Sequence, residues 1–407
     1  MLNKGRLWIS SQIFLNEELT KELELKIRDK LKLFKKNGLN SLMIWSTNIK
    51  YLDSLVNICK ETGISSYLWY PLLADTPVDF VIDSYKVVGV TGNNQSLILE
   101  AQKDGGEKFA FLCPNKVREE PAFFNSYKRI LESAYFDGVF LDRIRFPSPA
   151  NGLNDFASCL CDTCRKKSPD SISLFEEEFS QFRNKMVEAK DKEKIKELIK
   201  KFWLSIEKFL SFRDQSILAL VSDYTKFAHD KALDVGIDLF SPSLSRLVSQ
   251  NFEVLSNVTN WIKPMIYCKT MGPAGLPMEF LSLIRMLKSF NNKISEKMII
   301  EVIEELKDIK LPQKTIDFVE SGISLDNFET ELKKINEMNI PDGVNVYPGF
   351  EGVHLPPISS VNLETLRSYI KITLENNLRG FVLSWDIKSI SEKNINFVGD
   401  VLEHYAR

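Results

Sequence analysis

Short apolar runs alternate along this chain with longer stretches in which apolar and polar positions recur at helical spacing. Runs of β-branched and aromatic residues bounded by Gly, Asp or Asn predict strands, and the stretches between them predict amphipathic helices. Eight strands are predicted: Arg6 to Ile13, Ser41 to Trp45, Ser66 to Pro71, Gly138 to Asp142, Asp234 to Phe240, Trp261 to Tyr267, Gly343 to Tyr347 and Gly380 to Trp385. Between the first two lies ELTKELELKIRDKLKLFKKNGLN, a helix by its spacing, with Gly38 suited to its C-terminal cap. PAFFNSYKRILESAYFDG repeats that layout before GVFLD, a wholly apolar run of the kind that a parallel sheet buries on both faces. Strands that alternate with helices in this way predict an α/β fold, a (β/α)8 TIM barrel.

A minimal barrel needs about 250 residues, so 407 leave room for insertions. The expectation is a single barrel domain over residues 1–407, with helical insertions after strands 4 and 6 at about 170–231 and 282–340. The charge runs there, as in VEAKDKEKIKELIKKFWLSIEKFL, read as solvated helix faces. The loop from about Asp75 to Lys108 has room for one or two accessory strands.

Lys plus Arg number 53 and Asp plus Glu 55, a formal charge of −2. That balance gives no footprint for nucleic acid or an anionic membrane surface. No run of about 20 apolar residues is present to span a bilayer. The opening segment MLNKGRLWISSQIFLNEEL is basic at its start, but Ser, Ser and Gln interrupt its apolar residues, so no secretory core is predicted. A cytoplasmic protein is expected.

Four of the six cysteines form a pattern. Cys159, Cys161 and Cys164 stand in SCLCDTC as C-x-C-x2-C, and Cys113 stands in FLCPN forty-six residues earlier. The segment also carries Asp162, Thr163, Arg165 and Lys166, which makes it a polar loop and not a core strand. Four thiolates in a tetrahedron satisfy Zn2+ with no position left for water, so the expected metal is a structural zinc. Cys59 and Cys268 are expected to be free thiols.

This spacing, a lone Cys followed by Pro and Asn and then the triplet just past the fourth strand, resembles the zinc-binding β-galactosidases of glycoside hydrolase family 42. FDGVFLDRIRFPSP also resembles a stretch of several barrel families grouped with the glycoside hydrolases. The resemblance covers about Phe109 to Lys166, and the rest only as barrel layout. It implies a structural zinc, sugar chemistry and an oligosaccharide or glycoside as substrate. It also implies one acid after strand four and one after strand seven, which by layout favours Asp142 with Glu351. The chain lacks the Asn-Glu pair of family 42 after strand four and has Leu141-Asp142 instead. In barrel families that cleave α-glycosides the acid after strand four pairs with one from strand five or six, which would join Asp142 to Asp238.

Placement alone points to the same residues, because barrel active sites lie at the carboxyl ends of the strands. Asp142 ends the fourth strand and is followed by Arg143 and Arg145. Asp238 ends the fifth, and Glu351 follows the seventh beyond a turn at Pro348-Gly349. Glycoside hydrolysis uses two carboxyl groups, so Asp142, Glu351 and Asp238 are the catalytic candidates, with Asp142 first and its partner open. Arg143, Arg145, Tyr267, Glu279, Trp385, Asp386, Trp45 and Trp69 are the substrate-binding candidates, the aromatics as platforms for a sugar face. No GxGxxG or Walker pattern is present, the three histidines are not paired at ligand spacing, and no Ser or Cys nucleophile motif occurs. The alternative to a glycoside hydrolase is a noncatalytic saccharide-binding barrel, which predicts a single acid within reach of the pocket.

Overall fold

A computed structural model describes residues 7–91 and 110–406. The strands in chain order are β1 (Trp8–Leu15), β2 (Ser41–Ser46), β3 (Ser65–Pro71), β4 (Gly138–Asp142), β5 (Asp234–Phe240), β6 (Trp261–Met265), β7 (Asn345–Val346), β8 (Gly349–Glu351), β9 (His354–Leu355), β10 (Ser359–Ser360) and β11 (Gly380–Asp386). β1 to β6 pair in sequence, β6 pairs with both β7 and β8, and β11 joins β8 to β1. Every pairing in this ring is parallel. With β7 and β8 as two pieces of one stave, the sheet closes into an eight-stranded barrel with helices between the strands, the expected TIM barrel.

The seventh stave departs from the expectation. The sequence places a strand at Gly343 to Tyr347 and a turn at Pro348-Gly349, whereas the strand begins at Asn345, breaks at Tyr347-Pro348 and resumes over Gly349–Glu351. Pro348 has no N–H for the ladder, but its carbonyl still accepts from Val382 N at 3.0 Å. Gly349 is needed because the Lys263 side chain runs across it, and a Cβ there would meet Lys263 Cε at 2.6 Å. Glu351 is therefore a strand residue and not one beyond a turn. β1 likewise reaches Leu15, two residues past its expected end.

An aromatic plug fills the lower barrel. Trp8, Tyr67, Phe140, Trp261 and Tyr347 meet there, with Trp8 stacked on Tyr347 at 4.3 Å and Phe140 on Trp261 at 5.3 Å between centroids. Gly236 makes room for it, since a Cβ there would lie 2.1 Å from the Trp261 ring. Asp234 satisfies the polar edges, accepting from Tyr67 OH at 2.7 Å and Trp261 Nε1 at 2.9 Å. A filled floor of this kind confines any ligand to the upper rim.

Between β4 and β5 run helices Pro169–Glu188, Lys192–Ser205 and Glu207–Asp230, and between β6 and β7 run Leu276–Phe290, Glu296–Lys307, Thr315–Ser321 and Asp326–Asn336. The two sets pack on each other. Asn291 fastens them, its Nδ2 donating to the carbonyls of Met186, Val187 and Ala189 at 2.9, 3.1 and 2.9 Å, which ends the helix Pro169–Glu188. Accessory strands in the loop after β3 are expected partly on residues outside those described. In its described part a single helical turn, Asp83–Tyr85, and a bridge between Lys86 and Leu112 are found. Among the described residues no helix is long and apolar enough to cross a membrane.

Candidate active site and cysteine cluster

The register of the sheet brings the first acids together. β4 pairs with β5 at Leu141↔Ile237, so one step further Asp142 stands level with Asp238, and Asp238 is itself paired with Lys263 on β6. All three side chains are buried. Lys263 Nζ donates to both Asp238 oxygens, at 3.1 and 3.3 Å, and to Tyr267 OH at 2.9 Å. The chain continues from Tyr267 OH to Ser384 Oγ at 2.8 Å and from Ser384 Oγ to Gln12 Oε1 at 3.1 Å. Asp142 Oδ2 accepts from Trp69 Nε1 at 2.9 Å, and Oδ1 from the Arg143 amide.

Burial pushes Asp238 up to about 8 against the pull of Lys263, and the neighbouring Asp142 pushes the same way. Lys263 is held above its usual range: burial opposes its charge, but Asp238 and Tyr267 outweigh that. Neighbouring buried carboxyls resist ionising together, which fits a single proton on the pair. One proton on the pair and one on Lys263 leaves the buried trio neutral overall, the least costly charge state for groups out of water.

Arginines flank the trio. Arg143 adopts a left-handed conformation at φ 56°. Its guanidinium pairs with Asp75, stands 4.0 Å from Asp142 and 5.6 Å from the Trp45 ring, and is lowered to about 9 chiefly by burial. Arg145 is sandwiched by Phe111 and Phe240 at 4.3 and 4.5 Å and donates to the Phe146 carbonyl at 3.0 Å. Burial lowers it to about 10 while Glu279, Asp142 and Asp238 oppose that shift. Glu279 itself is buried and accepts from Ser148 Oγ at 2.9 Å, Ala150 N at 3.2 Å and Ala274 N at 3.2 Å. It ties the loop after β4 to the loop after β6.

Glu351 faces other partners. Its Oε1 accepts from Lys269 N at 2.7 Å, and around the carboxyl lie Tyr369, Thr270 and Cys268. Burial raises it. Asp386 caps the turn after β11, accepting from Phe14 N at 3.2 Å and Lys388 N at 2.9 Å. Trp385 lies half-buried under the loop at Gly272. Trp45, edge-on to Trp69 at 5.5 Å and packed on Phe14 at 4.4 Å, walls a cavity of about 620 Å3 over the ends of β1 to β3 that also takes in Asp75, Asp79 and Arg129. Asp75, shared with Arg143, links that cavity to the acid pair. The structure thus brings Asp142, Asp238, Tyr267, Arg143, Arg145 and Trp69 to one centre, with Trp45 beside it and Glu279 coupled to it through Arg145, and sets Glu351 and Asp386 among different neighbours.

Lys263, Ser384 and Gln12 are absent from the sequence-based candidates. The lone Lys inside the apolar strand WIKPM was the available signal, since a buried ammonium needs a carboxylate opposite it.

The four cysteines converge from the segments that follow β3 and β4. Cys113 precedes helix Pro114–Glu119, Cys164 lies in helix Asp162–Lys167, and all four sulfurs lie within 4.8 Å of one another. Cys113 Sγ is 3.5 Å from Cys164 Sγ and 3.7 Å from that of Cys161. Ligand sulfurs about 2.3 Å from a tetrahedral zinc lie about 3.8 Å apart, so a buried all-sulfur set at these separations fits a metal. Asn115 Nδ2 donates to Cys164 Sγ at 3.3 Å. The buried Arg213, lowered to about 10 by desolvation, is sustained first by Asp214 and then by Cys159 and Cys164, which places a cation beside the thiol cluster. Cys59 and Cys268 are buried free thiols that burial pushes up.

Neither a protein-family model nor a curated protein matches the sequence. Among solved structures the chain is similar to the PgaB (BpsB) glycoside hydrolase domain from Bordetella bronchiseptica, at 13% identity and a TM-score of 0.52 over 97% of this chain and 98% of that one. The spore cortex-lytic enzyme SleL of Bacillus megaterium QM B1551 aligns at 10% identity and a TM-score of 0.48, over 98% and 74%. The catalytic domain of beta-amylase from Paenibacillus polymyxa aligns at 12% and 0.47, over 98% and 99%. The first of these likenesses extends the barrel fold over nearly the whole chain.

Proposed function

We propose that the chain is a glycoside hydrolase in which Asp142 and Asp238 act as one acid-base group, the other sites at the rim serving to shape it. The observation that carries this reading is the strand register, which sets the buried Asp142 level with the buried Asp238 at the ends of β4 and β5, with the Lys263 ammonium on Asp238. The barrel shared with the PgaB glycoside hydrolase domain fits the same class of reaction.

Asp142 presents the shared proton to the leaving glycosidic oxygen, and Asp238 holds it in reserve beneath. Trp69 Nε1 and the Arg143 amide fix the direction of the Asp142 carboxyl, while Lys263 offsets the negative charge that appears when the proton leaves. Water then adds its hydroxyl to the anomeric carbon and returns its proton to the pair, so the group ends as it began. The two carboxyls stand side by side on neighbouring strands and Asp142 helps to raise Asp238, which is why the two are assigned one role together. Trp45 and the cavity beside it give the sugar a platform.

The cysteine cluster is assigned a structural Zn2+, held by Cys113, Cys159, Cys161 and Cys164. It would staple the segment entering the fourth βα unit to the one leaving it, in the manner of the family 42 β-galactosidases. Reduced thiols at these positions support a reducing compartment such as the cytoplasm.

The test is cleavage of a panel of aryl α- and β-glycosides by the wild type and by Asp142→Asn, with zinc measured on both. Activity lost in the variant with about one zinc per chain retained supports the reading. A zinc-bound wild type that binds oligosaccharides and cleaves none would instead support a saccharide-binding barrel.

A further inference from the structure

Away from the rim, the two sets of inserted helices enclose a second cavity of about 430 Å3. Phe179, Phe182, Phe202, Trp203, Leu283 and Phe290 are among the residues of its largely apolar wall. Phe182 stacks on Phe202 at 4.6 Å and meets Phe290 edge-on at 5.7 Å, so ring contacts brace the walls apart. An apolar cavity is poorly wetted and takes up apolar molecules, and this one lies in the size range of small-molecule sites.

The charged residues in its lining are Lys200 and Lys307 alone. Helix Lys192–Ser205 meets helix Glu296–Lys307 along a ladder in which Lys192 pairs with Glu305 at 2.7 Å and Lys196 pairs with the same Glu305. At the cavity the ladder stops. Among the described residues Lys200 has no ion-pair partner, and Lys307 has none within 4.0 Å, though Glu331 lies near enough to favour its charge. Burial pushes Lys307 down to about 8 against that help. Leu204, 79% exposed at the mouth, extends the apolar wall to solvent.

We propose that this cavity binds a free single-chain amphiphile with an anionic head, its tail among the aromatic rings and its carboxylate or phosphate on Lys200 and Lys307. An apolar wall with two cations and no carboxylate in its lining selects that chemistry over neutral or cationic amphiphiles.

Calorimetric titration of the zinc-bound full chain with decanoate, decanol and decyltrimethylammonium tests it. Saturable binding of one decanoate per chain is expected, weakened about tenfold or more in Lys200→Gln/Lys307→Gln with decanol binding unchanged, as loss of a charged hydrogen-bond partner predicts. Leu283→Trp, which narrows the cavity from its wall, is expected to abolish decanoate uptake. A wild type that does not saturate with decanoate overturns the proposal, as does a double variant that binds it equally well. Capture by phosphatidylglycerol vesicles without decanoate binding also overturns it, since the surface would then recognise a membrane and not a free amphiphile.

Discussion

The rim of this barrel holds two buried acid sites that look alike in the sequence and differ in their neighbours. Asp142 and Asp238 meet each other over Lys263, whereas Glu351 meets a backbone amide, a phenol and a thiol. A carboxyl beside another carboxyl and an ammonium can trade a proton near neutrality. Glu351 is raised by burial against the hydrogen bonds around it, with no second carboxyl or ammonium paired to it among the described residues. Chemistry therefore follows what lies within hydrogen-bond reach, and depth alone does not confer it.

The largest expected effect breaks the first site. Asp142→Asn should lower kcat on a cleaved aryl glycoside by about 10³-fold, the usual weight of a positioned acid-base group, with circular dichroism unchanged. Next, Lys263→Met leaves the pair without its counter-charge and should cost about 3 kcal/mol of stability by urea titration. A loss below about 0.5 kcal/mol, the range of an ordinary surface change, would show that the ammonium is not the partner the pair needs.

The third prediction concerns pH. Asp238 is held at about 8, above the ordinary carboxylate range, so the folded chain keeps a proton that the unfolded chain gives up. Its contribution to stability is complete below the ordinary carboxylate range and is lost as pH rises toward about 8. The profile of kcat/KM should fall through the same region, and Asp238→Asn should move that alkaline limb away from about 8. The smallest effect is expected at the other site: Glu351→Gln keeps the Lys269 amide bond and should leave kcat within about threefold of wild type, a change of well under 1 kcal/mol. A larger loss would move the chemistry to strand β8.

Much of the frame was legible in the sequence, for local reasons. GVFLD and DVGIDLF are strands to the residue, because apolar runs ending in Asp, Ser or Pro leave little choice of boundary. The cysteine spacing pointed to one cluster, and the four sulfurs do converge. The pairing of Asp142 with Asp238 was one of two open possibilities, since it depends on the register of Leu141 against Ile237, which neither strand encodes alone. The role of Lys263 is not encoded locally, because its partner lies on β5. The surroundings of Glu351 were equally hidden, set by Tyr369 on helix Leu363–Glu375 and by the loop after β6.

The most direct test is the kinetics of Asp142→Asn, Asp238→Asn and the double variant on one cleaved glycoside. If the two carboxyls work as one group, the double variant loses little more kcat/KM than the worse single one. Losses that multiply would contradict the account and assign the two acids separate roles.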